Sequence, residues 1–155
     1  MAGSEKGNKD CIFCKIARKE INAAWVWEDD EFFAILDNQP NTKGMTLVLT
    51  KQHYSSYAFD MPDDVYQRLM IASKKVANLL DKKLNVKRTA MVMEGLGVNH
   101  AHVKLYPVYG LDEKFTEIWA KDKVYFEKYQ GYITTQLGPQ KSSAELEKTA
   151  KKIRS

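Results

Sequence analysis

One short segment limits the fold more than any other, because apolar and polar residues alternate along it. The apolar set is Ala101, Val103 and Leu105, and it alternates with His100, His102 and Lys104. Side chains of a β-strand point in turn to the two faces of its sheet. We therefore predict a strand from Asn99 to Tyr106, ended by Pro107. Its apolar face should pack under a helix, and on the other face three potentially cationic groups should stand about 6.6 Å apart. Such a row suits a phosphate group, and a solvated polar face is the alternative interpretation.

The rest of the chain supplies partners for this strand. Residues 25–27, 31–36, 45–50 and 89–93 are apolar, β-branched or aromatic runs bounded by turn residues, which predicts four more strands. Residues 11–19 predict a short helix. A long helix should begin at Pro62, with Asp60 as its N-cap. Its apolar residues recur at three- and four-residue steps and are Val65, Leu69, Ala72, Val76, Leu79, Leu80 and Leu84.

The order of three strands, a helix and two strands predicts the α+β class, with a five-stranded antiparallel sheet and the long helix on one face. Residues 1–10 are polar and predict a flexible tail. From Ser142 to Glu145 the sequence resembles a capping box, which predicts a last helix to about Ile153. The segment 111–140 has no pattern that places it. Its aromatic residues suit either an interface or a lid over the core, and they include Trp119, Tyr125, Phe126 and Tyr129.

Composition excludes several classes of function. The net charge of +4 is only mildly basic, and the chain has no basic run, so a dedicated nucleic-acid surface is not expected. An apolar run of membrane-spanning length and a secretion signal are both missing from the sequence, so we expect a cytoplasmic protein. The two cysteines, Cys11 and Cys14, stand in a Cys-x-x-Cys spacing. In a reducing compartment this spacing favours metal or redox chemistry over a structural disulfide.

Five motifs, taken in order, resemble the histidine-triad (HIT) family over residues 11 to about 110. The motifs are residues 11–16, residues 28–30 with 34–37, residues 44–48, residues 51–53, and the pair His100-Ala101-His102 in the place of the family's signature. The resemblance implies a HIT domain over 11–110 and a C-terminal extension over 111–155 with a terminal helix. It also implies a homodimer in which two sheets join.

The resemblance implies a nucleotide site around His102, the family's nucleophile, whose Nε2 attacks the α-phosphorus to form a nucleotidyl-histidine intermediate. Lys104 stands where the family has its third histidine, and it can still contact phosphate. Asp37 matches the acid that binds the ribose hydroxyls, although a turn aspartate is the alternative. The base pocket would include Ile12, Phe13, Ile35 and Leu36, which could equally be plain core. The phosphate would lie near Asn99 and the backbone of Gly95 and Gly97.

A second set of residues matches the zinc ligands of one branch of the family. The set is Cys11, Cys14, His53 and His100. Two cysteines and two histidines suit tetrahedral zinc in a closed structural site. The alternative is a pair of buried free cysteines, which behave as small apolar residues.

The resemblance implies a hydrolase acting on a purine nucleotide derivative, such as a phosphoramidate, an acyl adenylate or a dinucleoside polyphosphate. Two alternatives remain open, since the chain departs from the family's pattern at Met45, Met93 and Lys104. One is a nucleotidyltransferase that uses the same intermediate. The other is a nucleotide sensor with little catalysis.

Overall fold

A five-stranded antiparallel sheet dominates the computed structural model, which describes residues 8–155. The strands are β1 (Trp25–Glu28), β2 (Phe32–Leu36), β3 (Thr46–Thr50), β4 (Arg88–Val92) and β5 (His102–Val108), arranged in the order β1-β2-β3-β5-β4. The helices are α1 (Ile12–Ala17), α2 (Asp63–Leu84) and α3 (Ser143–Arg154), with a 3₁₀ turn at Ala58–Asp60. The predicted α+β class and sheet are confirmed. Residues 1–7 of the predicted tail lie outside the described residues.

The strand β5 lies inside the sheet, between β3 and β4. Two details of its prediction were wrong. It begins at His102 rather than Asn99, because the chain turns tightly there, with the His100 N–H donating to the Val98 carbonyl at 2.8 Å. It also continues through Pro107, which pairs with Thr89 on β4. β3 reaches only as far as Thr46, opposite Leu105, so Pro107 lies past the end of that neighbour, where a missing N–H costs no hydrogen bond of the β3–β5 ladder.

One face of the sheet packs on α2, as predicted. The apolar face of β5 shares a core of twelve buried residues with the helix and the strands β2 and β3. They are Phe32, Ala34, Val48, Met61, Val65, Leu69, Ala72, Val76, Leu80, Ala101, Val103 and Leu105. Full burial of a side chain such as Leu69 stabilises the fold by about 1.5–3 kcal/mol.

The N-terminus of α2 differs from its prediction. The N-cap position is Pro62, in an extended conformation, and among the described residues no side chain caps the helix. Asp60 instead ends the 3₁₀ turn that precedes Met61, whose buried side chain joins the core. The prediction of Asp60 as the N-cap was therefore wrong, because the 3₁₀ turn takes the place of a side-chain cap. At its other end α2 stops at Asn85, whose φ of 52° is left-handed.

A second, smaller core lies on the opposite face of the sheet, under α1. It comprises Ile16, Phe33, Ile35, Leu47 and Leu49, with Phe13, Ala17, Ala23 and Trp25 packed against it. The short α1 covers only part of this face. The open part leaves room for a cavity beside β5.

The chain divides into two compact units, one ending at Lys114 and the other running from Phe115 to Ser155. In the second unit, α3 begins at the predicted capping box, in which Ser142 Oγ accepts from the Glu145 N–H. The aromatic side chains of this unit are exposed, Trp119 to 59% and Tyr125 to 63%, so they are not buried core. In the described part of the chain, helices that are both long and apolar enough to cross a bilayer are absent.

Candidate active site and metal centre

A cavity of about 650 Å³ opens on the α1 side of the sheet, with His102 on its wall. This volume is typical of a small-molecule site. Eight of the predicted nucleotide residues line it together, and they are Ile12, Phe13, Ile35, Leu36, Asp37, Gly97, His102 and Lys104. Three segments far apart in sequence, residues 12–13, 35–37 and 97–104, therefore meet around one cavity.

The imidazole of His102 is held in one orientation. Its Nδ1 lies 2.7 Å from the His100 carbonyl oxygen, and because a carbonyl can only accept, Nδ1 carries the proton. The Nε2 of the neutral ring therefore keeps its lone pair. Burial lowers the pKa of His102 below its usual value, although this hydrogen bond opposes the shift. The lowered pKa favours the neutral ring near pH 7, and the tautomer is fixed with Nε2 unprotonated.

Lys104 is the described cation that lines the cavity, and it forms an ion pair with Glu94. Both side chains are largely buried, with 22% of Lys104 and 10% of Glu94 exposed. The pair follows from the register of the sheet, because Val92 lies opposite Lys104 and Glu94 comes two residues later on the same chain. Glu94 was not among the predicted site residues. The sequence offered one indication of it, its place directly after the strand predicted at 89–93.

Exposure separates the two interpretations of the apolar residues. Ile12 and Leu36 are 46% and 41% exposed, which plain core residues would not be. Ile35 is buried in the smaller core as well as lining the cavity, so both interpretations hold for it. Asp37 also fits both of its interpretations, since its Oδ1 accepts from the Gln39 N–H at 2.7 Å while the residue lines the cavity.

Asn99 differs from the other predicted residues, because it lies outside the described lining of the cavity. Its Oδ1 accepts from the Ser56 N–H at 3.0 Å, and the Ser56 hydroxyl also donates to the Gly95 carbonyl at 2.7 Å. Gly95 has a φ of +72°, and a Cβ there would lie 2.8 Å from the Ser56 carbonyl oxygen. These contacts join the loop before β5 to the loop that follows β3.

Several cavity residues were missed by the sequence analysis. They are Ile16, Ile21, Asn22, Ala23, Ala24, Asn38, Gln39, Leu47, Leu96 and Val98. Most are small, apolar or amide side chains in loops, which carry no motif of their own. The neighbourhood of Asp37 and Gly97 was the signal for Asn38, Gln39, Leu96 and Val98.

The four predicted metal ligands form one buried cluster next to His102. Their ligand atoms all lie within 4.8 Å of one another. The Nδ1 of His100 lies 3.4 Å from Cys11 Sγ and 3.5 Å from Cys14 Sγ, and the Nδ1 of His53 lies 3.4 Å from Cys14 Sγ. In a zinc tetrahedron with bonds of about 2.3 Å to sulfur and 2.0 Å to nitrogen, sulfur and nitrogen stand about 3.5 Å apart. The donor set and these spacings fit a tetrahedral metal ion.

The tautomer of His100 suits the same purpose. Its Nε2 donates to the Thr50 carbonyl at 2.8 Å, so the neutral ring presents a bare Nδ1 to the two thiols. Burial lowers the pKa of His100 to about 4, which keeps the ring neutral. Burial likewise raises the pKa of the Cys14 thiol to about 11, so without a metal this sulfur stays protonated. A bound cation would reverse that preference, because coordination requires a thiolate.

Comparison with known proteins agrees with this architecture. The model of the HIT domain family matches residues 18–109. A HIT-like protein of Methanocaldococcus jannaschii is 40% identical over 116 residues, which span 70% of this chain and 88% of the relative. An adenosine 5'-monophosphoramidase of Saccharomyces cerevisiae is 31% identical over 76% of this chain and 75% of its own. The crystal structure of a zinc-bound histidine triad family protein from Mycobacterium smegmatis superposes with a TM-score of 0.62 at 25% identity, over 67% of this chain and 78% of that one.

The chain therefore belongs to the HIT family, as the motifs predicted. Its fold is that of the family.

Proposed function

We propose that this HIT-family protein hydrolyses a nucleoside monophosphate derivative, with His102 as the nucleophile. The observation that carries the proposal is the 2.7 Å hydrogen bond from His102 Nδ1 to the His100 carbonyl, on the wall of the cavity. It leaves Nε2 bare where a phosphoryl group can lie. A purely structural role for the buried imidazole would not explain why its unprotonated nitrogen is fixed beside an open cavity.

The reaction takes two displacements. The Nε2 lone pair attacks the α-phosphorus, the bond from phosphorus to the leaving group breaks, and the leaving group departs with a proton from solvent. A water molecule then attacks the same phosphorus and gives up a proton to solvent, the bond to Nε2 breaks, and the nucleoside monophosphate leaves, which restores the neutral ring. Lys104 would contact the phosphoryl oxygens as a point charge. Asp37 would accept hydrogen bonds from the ribose hydroxyls, and the base would lie among Ile12, Phe13 and Leu36.

A purine nucleoside phosphoramidate is the first substrate to test. The yeast relative is named an adenosine 5'-monophosphoramidase, which makes adenosine 5'-phosphoramidate the natural probe. An acyl adenylate and a dinucleoside polyphosphate would present the same α-phosphorus with another leaving group. The cavity itself favours no base, because its wall is mostly apolar.

The decisive experiment compares wild type with His102→Ala. Wild type should release AMP from adenosine 5'-phosphoramidate, and the variant should lose at least about a thousandfold of kcat while keeping its melting temperature. Glu113→Gln is the matched control, since it removes a carboxylate from the exposed ion pair with Lys87, and neither residue lines the cavity. Full activity in His102→Ala would refute the assigned nucleophile. A mass increase of one adenylyl group on a peptide containing His102, trapped in wild type, would support it directly.

Two other activities have distinct outcomes in the same assay. A nucleotidyltransferase would release the nucleotide only when a phosphorylated acceptor is present. The lysine at the third triad position is the observation that favours this alternative. A sensor would bind AMP tightly without turnover of any of the three substrate types.

We also propose that the cluster of Cys11, Cys14, His53 and His100 holds structural zinc. Zinc would supply a fixed cross-link and no step of the reaction. It would tie α1 to the residue whose carbonyl orients His102, because His100 serves both roles. Elemental analysis of protein prepared without chelator should find one zinc per chain, and a zinc-free folded protein would refute the assignment.

The homodimer and the extension at 111–155 remain proposals of the same kind. Exposed aromatic side chains in the second unit favour a partner surface, for example Phe126, which packs edge-on to Tyr132 at 5.8 Å. Light scattering should give twice the chain mass for the full chain. The cytoplasmic location stays a prediction from the sequence.

A further inference from the structure

The charges around the cavity are closely balanced, although its proposed ligand is an anion. Of the described residues that line it, Lys104 carries a positive charge and Asp37 a negative one. The ammonium of Lys104 is already engaged by Glu94, which brings a second carboxylate to this end of the cavity. A site built only to hold a phosphate tightly would leave its cation uncompensated.

The position of Glu94 makes the compensation effective. Val92 pairs with Lys104 where the β4–β5 ladder ends. Glu94, two residues further on, forms its ion pair with Lys104 beside the cavity that His102 also lines. Only 10% of the Glu94 side chain is exposed, so solvent screens its charge less than that of a surface carboxylate. A phosphoryl group within reach of His102 would therefore feel the attraction of Lys104 and the repulsion of Glu94 together.

From this arrangement we infer that Glu94 is a specificity-determining residue, which removes the preference for a dianionic over a monoanionic phosphoryl group that Lys104 alone would give the cavity. The inference rests on the proposed function. A phosphoramidate or an acyl adenylate carries one negative charge on its α-phosphoryl group, whereas the product AMP carries two above the second phosphate pKa of about 6. Repulsion from Glu94 grows with ligand charge. The residue thus weakens product binding more than substrate binding, and it speeds product release.

The test measures affinity against ligand charge. Three adenosine ligands serve as probes at pH 8, namely adenosine, the 5'-methyl ester of AMP and AMP, which carry zero, one and two negative charges. In wild type their dissociation constants should lie close together. In Glu94→Gln the affinity should rise by about threefold per ligand charge, leaving adenosine unchanged and tightening AMP by about ninefold. In Lys104→Met the order of affinities should be the reverse of that in Glu94→Gln, with AMP the weakest ligand.

Glu113→Gln is again the matched control, because it changes the net charge by the same amount in an ion pair with Lys87. It should leave all three affinities unchanged. Glu94→Asp keeps the carboxylate and should stay within about twofold of wild type for each ligand. Unchanged adenosine affinity in Glu94→Gln shows that the cavity has kept its shape.

Two outcomes would overturn the inference. Equal dependence on ligand charge in wild type and Glu94→Gln would show that the carboxylate does not act on the bound phosphoryl group. If the variant does not fold, wild type alone still decides, because balanced charges require an AMP affinity that hardly changes between low and high salt. A steep loss of AMP affinity with salt would overturn the inference. A wild type that binds neither adenosine nor AMP would instead refute the proposed nucleotide site, and the inference with it.

Discussion

The two faces of the sheet are built from the same strands and differ in how completely they are covered. The face under α2 buries a core of twelve residues, whereas the face under α1 buries five. The long helix covers its face along 22 residues, but α1 has only six. The uncovered part of the second face holds the cavity with His102 on its wall, and the buried metal cluster next to it includes Cys14 of α1. Stability should therefore come mainly from one face, and chemistry from the other.

The sharpest test of this division makes one substitution on each face. Leu69 and Leu49 are both fully buried, the first on α2 in the larger core and the second on β3 in the smaller core, where it pairs with His102. Leu69→Ala should lower the free energy of unfolding by about 3–5 kcal/mol because it leaves a cavity, while turnover per folded molecule stays within about twofold. Leu49→Ala should lower both stability and turnover. Denaturant unfolding and steady-state kinetics measure the two quantities, and equal losses of turnover in both variants would break the comparison.

The metal cluster should link stability and turnover, since His100 belongs to the cluster and its carbonyl accepts from the His102 ring. Cys14→Ser should abolish zinc binding, lower the free energy of unfolding by about 2–3 kcal/mol and reduce kcat about tenfold, because His100 loses its restraint. The variant should still fold, since the α2 core does not depend on the metal. Thermal melts with and without a chelator provide the control. If chelator does not lower the melting temperature of wild type close to that of Cys14→Ser, the cysteine contributes to stability by some route other than metal binding.

The loop between β4 and β5 should give the smallest effect. Gly95→Ala places a Cβ 2.8 Å from the Ser56 carbonyl oxygen in a backbone with φ of +72°. We expect a loss of about 1–2 kcal/mol in unfolding free energy and a modest rise in KM, because the neighbouring Gly97 lines the cavity. Gly131→Ala is the matched control, with a φ of +92° and open space around its Cβ. An equal or larger loss of unfolding free energy in the control would show that backbone strain, and not the contact with Ser56, accounts for the effect.

The sequence predicted the strands to within one to three residues, and the errors have physical causes. Alternation along 100–105 identified both faces of β5, but the strand begins only at His102 because the chain turns at His100. Pro107 was predicted to end the strand, but β3 does not extend far enough to pair with it, so its missing N–H costs no hydrogen bond to β3. Asp60 looked like an N-cap, because a 3₁₀ turn before Pro62 leaves no local signal.

The sequence alone identified the residues to which we assign the chemistry. Three patterns can be read without knowledge of the fold. They are the spacing of Cys11 and Cys14, the alternation around His102 and the order of the motifs. Only the tertiary structure decided which side chains meet. It placed Glu94 on Lys104 and joined Asn99 to Ser56. Contacts of this kind depend on strand register and on loop paths, which are fixed by packing over long sequence distances rather than by any neighbouring residue.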